Sequence, residues 1–283
     1  MRLLCPNCHQ AIDPDTLACP HGHQFGCEDG VLVLLGEEFG QKLRTFIANI
    51  QRFRAAERKR LLDSAVYEDL PFAKAVRTNW EWQRRGYDVV NIVRLLGARH
   101  RQTILDIGAW NGWLSHQLAR RGHHVTALEY FTDPYDGLRA KKFYSTGWQA
   151  IQMDLTDLSV LDQQYEMVII NHGLHFFSDP IAHVAAAKQK VAPGGWLILL
   201  GLQVFSDPSA RIKQVAAWQQ DFQARYGANF FLNPTKGYLD LTDQARLQTL
   251  GVVLKPYPQL WRRNLKAFFK KTAPKHYYGV AAV

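Results

Sequence analysis

The segment at residues 103–130, TILDIGAWNGWLSHQLARRGHHVTALEY, constrains the fold more than any other part of the chain. Its pattern predicts a buried strand over 103–107, a loop with two glycines, a helix over 113–121 and a second strand that ends at Glu129. In such a β–α–β unit the glycines let the backbone approach a ligand, and an acid about 20 residues further on receives ribose hydroxyls. Glu129 lies 21 residues after Gly108, so the segment predicts a nucleotide-binding unit.

The alternation of strands and helices continues along the chain. Further strands are predicted over 124–128, 150–153, 166–171 and 196–201, with a helix over 181–191. Helices are predicted near 208–226 and 242–250, and the apolar segments 251–257 and 277–283 could pair as a closing hairpin. Such alternation indicates a parallel sheet with helices on both faces, an α/β, Rossmann-like fold.

The region 103–201 resembles the class I methyltransferases that use S-adenosylmethionine (SAM). Asp106, Gly108 and Gly112 match the first, third and seventh positions of the D-x-G-x-G-x-G loop of that family. Glu129 matches the acid that binds the ribose, and Asp154, at the end of IQMD, matches the residue that contacts the adenine amine. The resemblance implies SAM as the cofactor. A nicotinamide oxidoreductase fits less well, because the segments after the third and fourth strands suit SAM better.

Two later segments carry the same resemblance. NHGLHFF at 171–177 matches the strand end beside the methionine of the cofactor, and VAPGGWLILL at 191–200 matches the glycine turn and the fifth strand. The chain is also similar to uncharacterised bacterial members with an N-G-W-L-S loop end, a D-G-L segment and N-x-x-L-H, here at 111–115, 136–138 and 171–175. On this resemblance we expect the following cofactor-binding residues: Asp106, Gly108, Ala109, Trp110, Asn111, Gly112, Glu129, Tyr130, Asp154, Leu155 and Asn171.

Trp110 departs from the family pattern, because it stands where the loop usually has its middle glycine. An indole at this position either crowds the methionine end of the cofactor or points outward. Crowding would favour the hypothesis that the protein is a non-catalytic scaffold that keeps the fold but does not bind SAM.

Transfer of a methyl group from a sulfonium mainly requires an aligned acceptor and the exclusion of water. A general base is needed only when the acceptor has a proton to lose. His175 is the first candidate because it follows the predicted fourth strand, and His172 and Tyr144 come next. The alternative for each is a packing or hydrogen-bonding role in the wall of the pocket.

All four cysteines lie in the first 27 residues. Cys5 and Cys8 are separated by two residues, and Cys19 and His23 by three, a spacing typical of two tight turns around one tetrahedral zinc ion. A segment of this length with little apolar core needs the ion to fold, so we expect structural zinc. His21 and Cys27 are the alternatives for the fourth ligand.

This segment resembles the zinc ribbon of the large-subunit ribosomal RNA guanine-N1 methyltransferases. The likeness lies in these residues: Cys5, Pro6, Cys8, the C-P-x-x-H of 19–23, Phe25 and Gly30. We therefore predict three regions: a zinc ribbon at 1–36, a helical connector or lid at 37–97 with a helix over about 37–60, and a SAM-dependent methyltransferase domain at 98–283.

Composition and charge restrict the partners. With 47% hydrophobic and 21% charged residues, and no apolar run of about 18 residues, a membrane-spanning protein is not expected. The start, MRLLCPNCHQ, lacks the pattern of a secretory signal, so we expect a cytoplasmic location. Of the net charge of +9, +7 lies in residues 255–283, which contain no acid.

Residues 260–271, LWRRNLKAFFKK, predict a basic amphipathic helix. Such a helix is compatible with RNA phosphates, an anionic membrane surface, or packing on the sheet with a solvated basic face.

Taken together, the sequence favours a SAM-dependent methyltransferase that acts on a small-molecule or lipid-like acceptor. A ribosomal or transfer RNA methyltransferase is the alternative, and the oligomeric state is not predicted.

Overall fold

A computed structural model describes residues 2–57 and 63–283 of the chain. The chain divides into two compact units, residues 1–166 (unit 1) and 167–283 (unit 2). The predicted regions 1–36, 37–97 and 98–283 stay predictions.

Unit 1 contains most of the predicted β–α–β pattern. Its helices and strands are β1 (Gly26–Glu28), β2 (Val31–Val33), α1 (Glu37–Ala56), α2 (Trp80–Leu96), β3 (Thr103–Ile107), α3 (Trp113–Ala119), β4 (His124–Glu129) and β5 (Gln149–Gln152). The strand β6 (Tyr165–Asn171) spans the division between the units. The boundaries of β3, β4 and α3 agree with the sequence prediction to within two residues.

The strands of unit 1 are ordered β1-β2-β5-β4-β3. All neighbours are parallel except β1 and β2, which form an antiparallel hairpin. The register pairs Ile107 with Leu128, so β3 and β4 end at the same edge of the sheet. Ile104 and Leu105 are both fully buried although they point to opposite faces, as expected for a parallel strand covered on both sides. The predicted α/β, Rossmann-like fold is confirmed.

The N-terminal segment is joined to the sheet of unit 1. Strand β2 lies beside β5 and pairs Leu32 with Ile151. Leu3 forms an antiparallel bridge with Leu161, and the backbone N–H of Leu4 donates to the carbonyl oxygen of Val160 at 2.8 Å. The first 36 residues therefore add two strands and an isolated bridge to the larger unit.

Helices α1 and α2 both lie in the region predicted as a helical connector. The prediction of a helix to about residue 60 holds as far as Ala56, and residues 58–62 lie outside the described residues. Helix α2 begins after Asn79, whose side chain accepts hydrogen bonds from the N–H groups of Glu81 and Trp82. It ends at Leu96 and is followed by Gly97, which has a positive φ of 56°.

Unit 2 contains the end of β6, four helices and four further strands among its described residues. They are α4 (Pro180–Gln189), β7 (Val191–Phe205), α5 (Ser209–Tyr226), β8 (Leu239–Asp240), α6 (Leu241–Thr249), β9 (Val253–Pro256), α7 (Trp261–Phe269) and β10 (Pro274–Ala282). Strand β10 pairs antiparallel with both β7 and β9. The predicted pairing of the last two apolar segments is confirmed by β9 and β10, but α7 lies between them in the chain, so they do not form a hairpin. Strand β8 extends the other side of β7 in parallel. Among the described residues, every helix is too short or too polar to cross a bilayer.

Candidate cofactor site and metal centre

The loop between β3 and α3 is fixed by backbone hydrogen bonds to β4. The N–H groups of Gly108 and Ala109 both donate to the carbonyl oxygen of Leu128 at 3.0 Å. Gly108 and Gly112 have φ values of +75° and +83°, a region that glycine enters without steric cost. A Cβ on Gly112 would lie 2.4 Å from a ring carbon of Trp148, so the loop also needs glycine there for space.

Glu129 holds the loop from the end of β4. Its Oε2 accepts a hydrogen bond from the N–H of Trp110 at 2.9 Å, and its Oε1 accepts from the N–H groups of Tyr130 and Phe131 at 2.8 and 3.1 Å. Burial raises the pKa of Glu129 to about 7, although these three hydrogen bonds oppose the shift. The acid at the predicted ribose position is therefore a buried carboxylate that already orders the loop.

Asp106 and Asn111 complete the inner side of the loop. Asp106 is fully buried and accepts a hydrogen bond from the hydroxyl of Ser115 in α3 at 2.7 Å. Asn111 is also fully buried, and its Oδ1 accepts from the N–H of Trp113 at 3.3 Å. The Nδ2 of Asn111 has no hydrogen-bond partner among residues 2–57 and 63–283. A buried donor without a partner is costly, and a bound ligand could satisfy it.

Trp110 packs against the helical region. It has a φ of +54°, and its ring stacks on Trp82 of α2 with centroids 5.3 Å apart and planes 22° apart. The guanidinium carbon of Arg85 lies 4.7 Å from the centroid of the Trp110 ring and 5.0 Å from that of Trp82. Arg54, which also forms an ion pair with the buried Asp136, lies 5.5 Å from the Trp110 ring. These contacts support the outward orientation.

Tyr144, one of the three candidate bases, is buried in an aromatic cluster. Its ring stacks on His116 at 4.7 Å and lies 5.7 Å from that of Tyr67. Burial raises the pKa of Tyr144 well above its ordinary value. Its hydroxyl has no hydrogen-bond partner within the described part of the chain. Such a group is hard to ionise, so these contacts favour a packing role.

Asp154 and Leu155 follow β5. The Oδ1 of Asp154 accepts hydrogen bonds from the N–H and the hydroxyl of Thr156 at 2.8 and 2.7 Å, which is an Asx turn. Leu155 is buried. Tyr130 lies edge-on to Phe46, and burial raises the pKa of its hydroxyl well above the ordinary value. The carboxylate of Asp154 thus has a local structural role, and its adenine contact stays a prediction.

The remaining predicted residues belong to unit 2. Asn171 ends β6 and is buried. His172 follows with a φ of +58°, and its ring lies over Gly201 of β7, where a Cβ would come within 2.3 Å of Nδ1. His175 lies in a short helical turn, is partly exposed, and its ring centroid is 4.1 Å from that of Phe176. Both histidines are partly exposed, and they differ in their neighbours rather than in their burial.

A cavity of about 580 Å³ adjoins the His175 segment within unit 2. Its walls come from α5 and from residues 229–238, and they include Val215, Phe231 and Pro234. The hydroxyl of Thr235, another wall residue, donates to the carbonyl oxygens of His175 and Phe177 at 2.8 and 3.2 Å. A small organic molecule fits a largely apolar cavity of this size.

The N-terminal cysteines and histidine form a compact cluster. The ligand atoms of Cys5, Cys8, Cys19 and His23 all lie within 4.8 Å of one another. The Sγ of Cys19 is 3.2 Å from the Nδ1 of His23, and the Sγ of Cys8 is 3.6 Å from that of Cys19. Cys27 is exposed on β1, and the cluster includes neither Cys27 nor His21. Three sulfur atoms and one nitrogen are a donor set suited to zinc.

Sequence reasoning missed the long-range partners of the loop. Trp82 and Arg85 cover Trp110 from a helix that precedes the β–α–β unit, and Trp148 covers Gly112 from beyond β4. The sequence gives only a weak indication of the hydrogen bond from Ser115 to Asp106: a small polar residue near the start of an apolar helix.

Comparisons with known proteins agree with this geometry. Residues 105–199 match the family described as methyltransferase domain. Ubiquinone biosynthesis O-methyltransferases are similar: that of Escherichia coli O6:H1 is 28% identical over 156 residues, 50% of this chain and 63% of the relative. That of Aeromonas salmonicida is 30% identical over 135 residues, 43% of this chain and 56% of the relative.

The chain thus spans about three fifths of the length of the curated relatives it matches. Among solved structures, the complex of DhpI with S-adenosylhomocysteine (SAH) is 17% identical, covers 90% of this chain and 97% of the other, and has a TM-score of 0.48. The chain has the mixed α/β, Rossmann-like fold of methyltransferases, and residues 105–199 match the methyltransferase domain family.

Proposed function

We propose that this protein is a SAM-dependent methyltransferase that acts on a small-molecule acceptor. The observation that carries the proposal is the buried Glu129 at the end of β4, hydrogen-bonded to the N–H of Trp110 in the loop between β3 and α3. This arrangement lies within the residues that match the methyltransferase domain family. The named activity of the curated relatives supports the same class of reaction.

The residues around this loop suit the cofactor. A carboxylate has about four acceptor positions, and the backbone uses three of those of Glu129, which leaves one for a ribose hydroxyl. The buried, unpartnered Nδ2 of Asn111 is a donor that a ligand could satisfy. Gly108 and Gly112, on either side of the segment that begins with Ala109, would let the backbone approach the cofactor. Asp106 would hold the loop in place through the hydrogen bond that it accepts from Ser115 of α3. We also assign Tyr130, Asp154, Leu155 and Asn171 to this site.

SAM would supply an electrophilic methyl group on a sulfonium. The protein then has to align an acceptor atom, exclude water and, for a hydroxyl acceptor, accept a proton. We assign proton acceptance to His175, because its carbonyl oxygen accepts a hydrogen bond from Thr235 in the wall of the 580 Å³ cavity. His172 is the second candidate. Tyr144 is the weakest because burial keeps its hydroxyl protonated.

The cavity and the relatives support an acceptor class. A volume of about 580 Å³ with largely apolar walls suits an aromatic or otherwise mainly apolar small molecule. The relatives are named as O-methyltransferases of ubiquinone biosynthesis, so a hydroxyl on an apolar molecule is the acceptor that we propose. An RNA acceptor has no support from these comparisons and remains the alternative that the experiment below tests.

A methyl-transfer assay tests the proposal. The protein is incubated with radiolabelled SAM and either a panel of catechols and hydroxyquinols or total cellular RNA. We expect label in the organic extract, and we expect the His175→Ala variant to lose most turnover while it keeps its affinity for SAH. Label that precipitates only with RNA would contradict the small-molecule assignment. Absence of SAH binding to the folded protein would contradict the enzyme assignment.

We also propose that Cys5, Cys8, Cys19 and His23 hold a structural zinc ion. The supporting observation is the clustering of their ligand atoms within 4.8 Å. Four protein ligands would close the coordination shell, so the ion would stabilise the fold without taking part in transfer. Metal analysis should find one zinc per chain in the wild type and in Cys27→Ser, but much less in Cys19→Ser. Loss of zinc in Cys27→Ser would overturn this ligand set.

A further inference from the structure

Helix α7 exposes its apolar side chains to solvent. The exposed fractions are 59% for Trp261, 52% for Leu265, 69% for Phe268 and 79% for Phe269. A surface helix of a globular protein normally turns its apolar stripe toward the core. The orientation of α7 is the reverse of that arrangement.

The side of α7 that faces the protein is narrow and partly polar. The Nδ2 of Asn264 donates to the carbonyl oxygen of His276 in β10 at 3.1 Å, and its Oδ1 accepts from the N–H of His276 at 2.7 Å. Ala267, one turn further along, is buried. These contacts hold the helix against β10 through small or polar side chains, which leaves the larger apolar side chains uncovered.

Basic side chains run beside the apolar stripe. With 3.6 residues per turn, Trp261, Leu265 and Phe268 lie in one line along the helix. The neighbouring line contains Arg262 and Lys266, both exposed. The whole segment 255–283 has seven lysines and arginines and no acidic residue. The surface of α7 is therefore at once apolar and cationic.

We propose that α7 binds the anionic surface of a lipid bilayer. The apolar stripe would enter the boundary between headgroups and acyl chains, while the basic side chains contact lipid phosphates. Charge complementarity favours an anionic partner, and the aliphatic Leu265 favours lipid over RNA because a leucine offers no ring for base stacking. This inference is independent of the proposed methyltransferase activity.

Vesicle co-sedimentation of the full chain tests the inference. Vesicles of phosphatidylcholine alone are compared with vesicles that also contain phosphatidylglycerol. We expect the wild type to bind the anionic vesicles preferentially, and Phe268→Ser/Phe269→Ser to weaken that binding about tenfold or more, because two apolar side chains are lost. Arg262→Gln/Arg263→Gln/Lys266→Gln should abolish the preference for phosphatidylglycerol.

The control is Leu241→Ser, which removes an apolar side chain as exposed as that of Leu265, 52%, from the start of α6. It should bind vesicles like the wild type. Circular dichroism should show that all variants stay folded, since each substitution is on the surface. Equal vesicle binding by the wild type and Phe268→Ser/Phe269→Ser would overturn the proposal. Binding to single-stranded RNA without binding to anionic vesicles would also overturn it, in favour of a nucleic-acid surface.

Discussion

The loop between β3 and α3 in unit 1 and helix α7 in unit 2 are both rich in aromatic side chains, but they differ in how those side chains are covered. Near the loop, Trp113 and Trp148 are 1% and 5% exposed. On α7, Phe268 and Phe269 are largely exposed. Rings that the chain itself covers make a rigid frame for a ligand, whereas rings left uncovered need a partner from outside.

The largest expected difference between covered and uncovered rings is in the stability of two alanine variants, one of Trp113 near the loop and one of Trp261 on α7. Trp113→Ala should lower the free energy of unfolding by about 3–5 kcal/mol, because it leaves a large cavity in the core. Trp261→Ala should change it by less than about 0.5 kcal/mol, because the ring contributes little to the folded core. Urea denaturation of both variants measures the difference. Similar losses in the two variants would show that α7 is covered in solution.

A covered ring in unit 2 provides a second test, through pH. Burial lowers the pKa of His183 to about 4, and its ring stacks on that of Phe177 at 3.5 Å. The unfolded chain takes up the proton near pH 6.5, whereas the folded chain resists it, so stability should fall as the pH drops from about 6.5 to about 4. The loss should reach roughly 3 kcal/mol. His183→Phe should flatten this part of the stability profile, and an unchanged profile would show that His183 is hydrated.

Replacing Trp110 tests whether its contacts with α2 serve the loop or block the site. Trp110→Gly removes the stack on Trp82 but relieves the positive φ of 54°. We expect a net loss of about 1–2 kcal/mol in stability and little change in the affinity for SAH. Calorimetry with the variant and the wild type measures both quantities. A large gain in affinity would show that the indole occupies the cofactor site.

The smallest effect concerns the ionisation of Glu129. Because burial raises its pKa to about 7, the carboxyl is partly protonated at neutral pH. The ionised form accepts hydrogen bonds more strongly, so the affinity for SAH should rise several-fold from pH 6 to pH 8. The effect of Glu129 on the free energy of unfolding changes with pH in the opposite direction. Its stabilising contribution is fully present below about pH 4.5 and is lost as the pH rises through 7. Glu129→Gln should remove the pH dependence of binding.

The sequence predicted the local pattern of the fold and the position of the acid. The alternation of strands and helices and the spacing from Gly108 to Glu129 depend on neighbours along the chain, so periodicity revealed them. Contacts between distant segments were not visible in that way. The stack of Trp110 on Trp82 and the packing of Trp148 on Gly112 depend on tertiary structure.

The same limit applies to the basic segment at the C-terminus. Its spacing predicted an amphipathic helix, and α7 covers Trp261–Phe269. The pattern left three partners open, because it cannot show which side of a helix meets the protein. The hydrogen bonds of Asn264 to His276 decide that side, and one polar residue among the basic residues of the helix did not reveal this role.

Calorimetric titration with SAH tests the central claim most directly, that the loop between β3 and α3 and Glu129 bind the cofactor. Glu166→Gln is the matched control, because Glu166 also accepts a backbone hydrogen bond, from Thr103 at the other end of β3. We predict micromolar binding by the wild type and Glu166→Gln, and a loss of at least about tenfold in Glu129→Gln and Glu129→Ala. Equal affinity in all four proteins, or no binding by the folded wild type, would contradict the account.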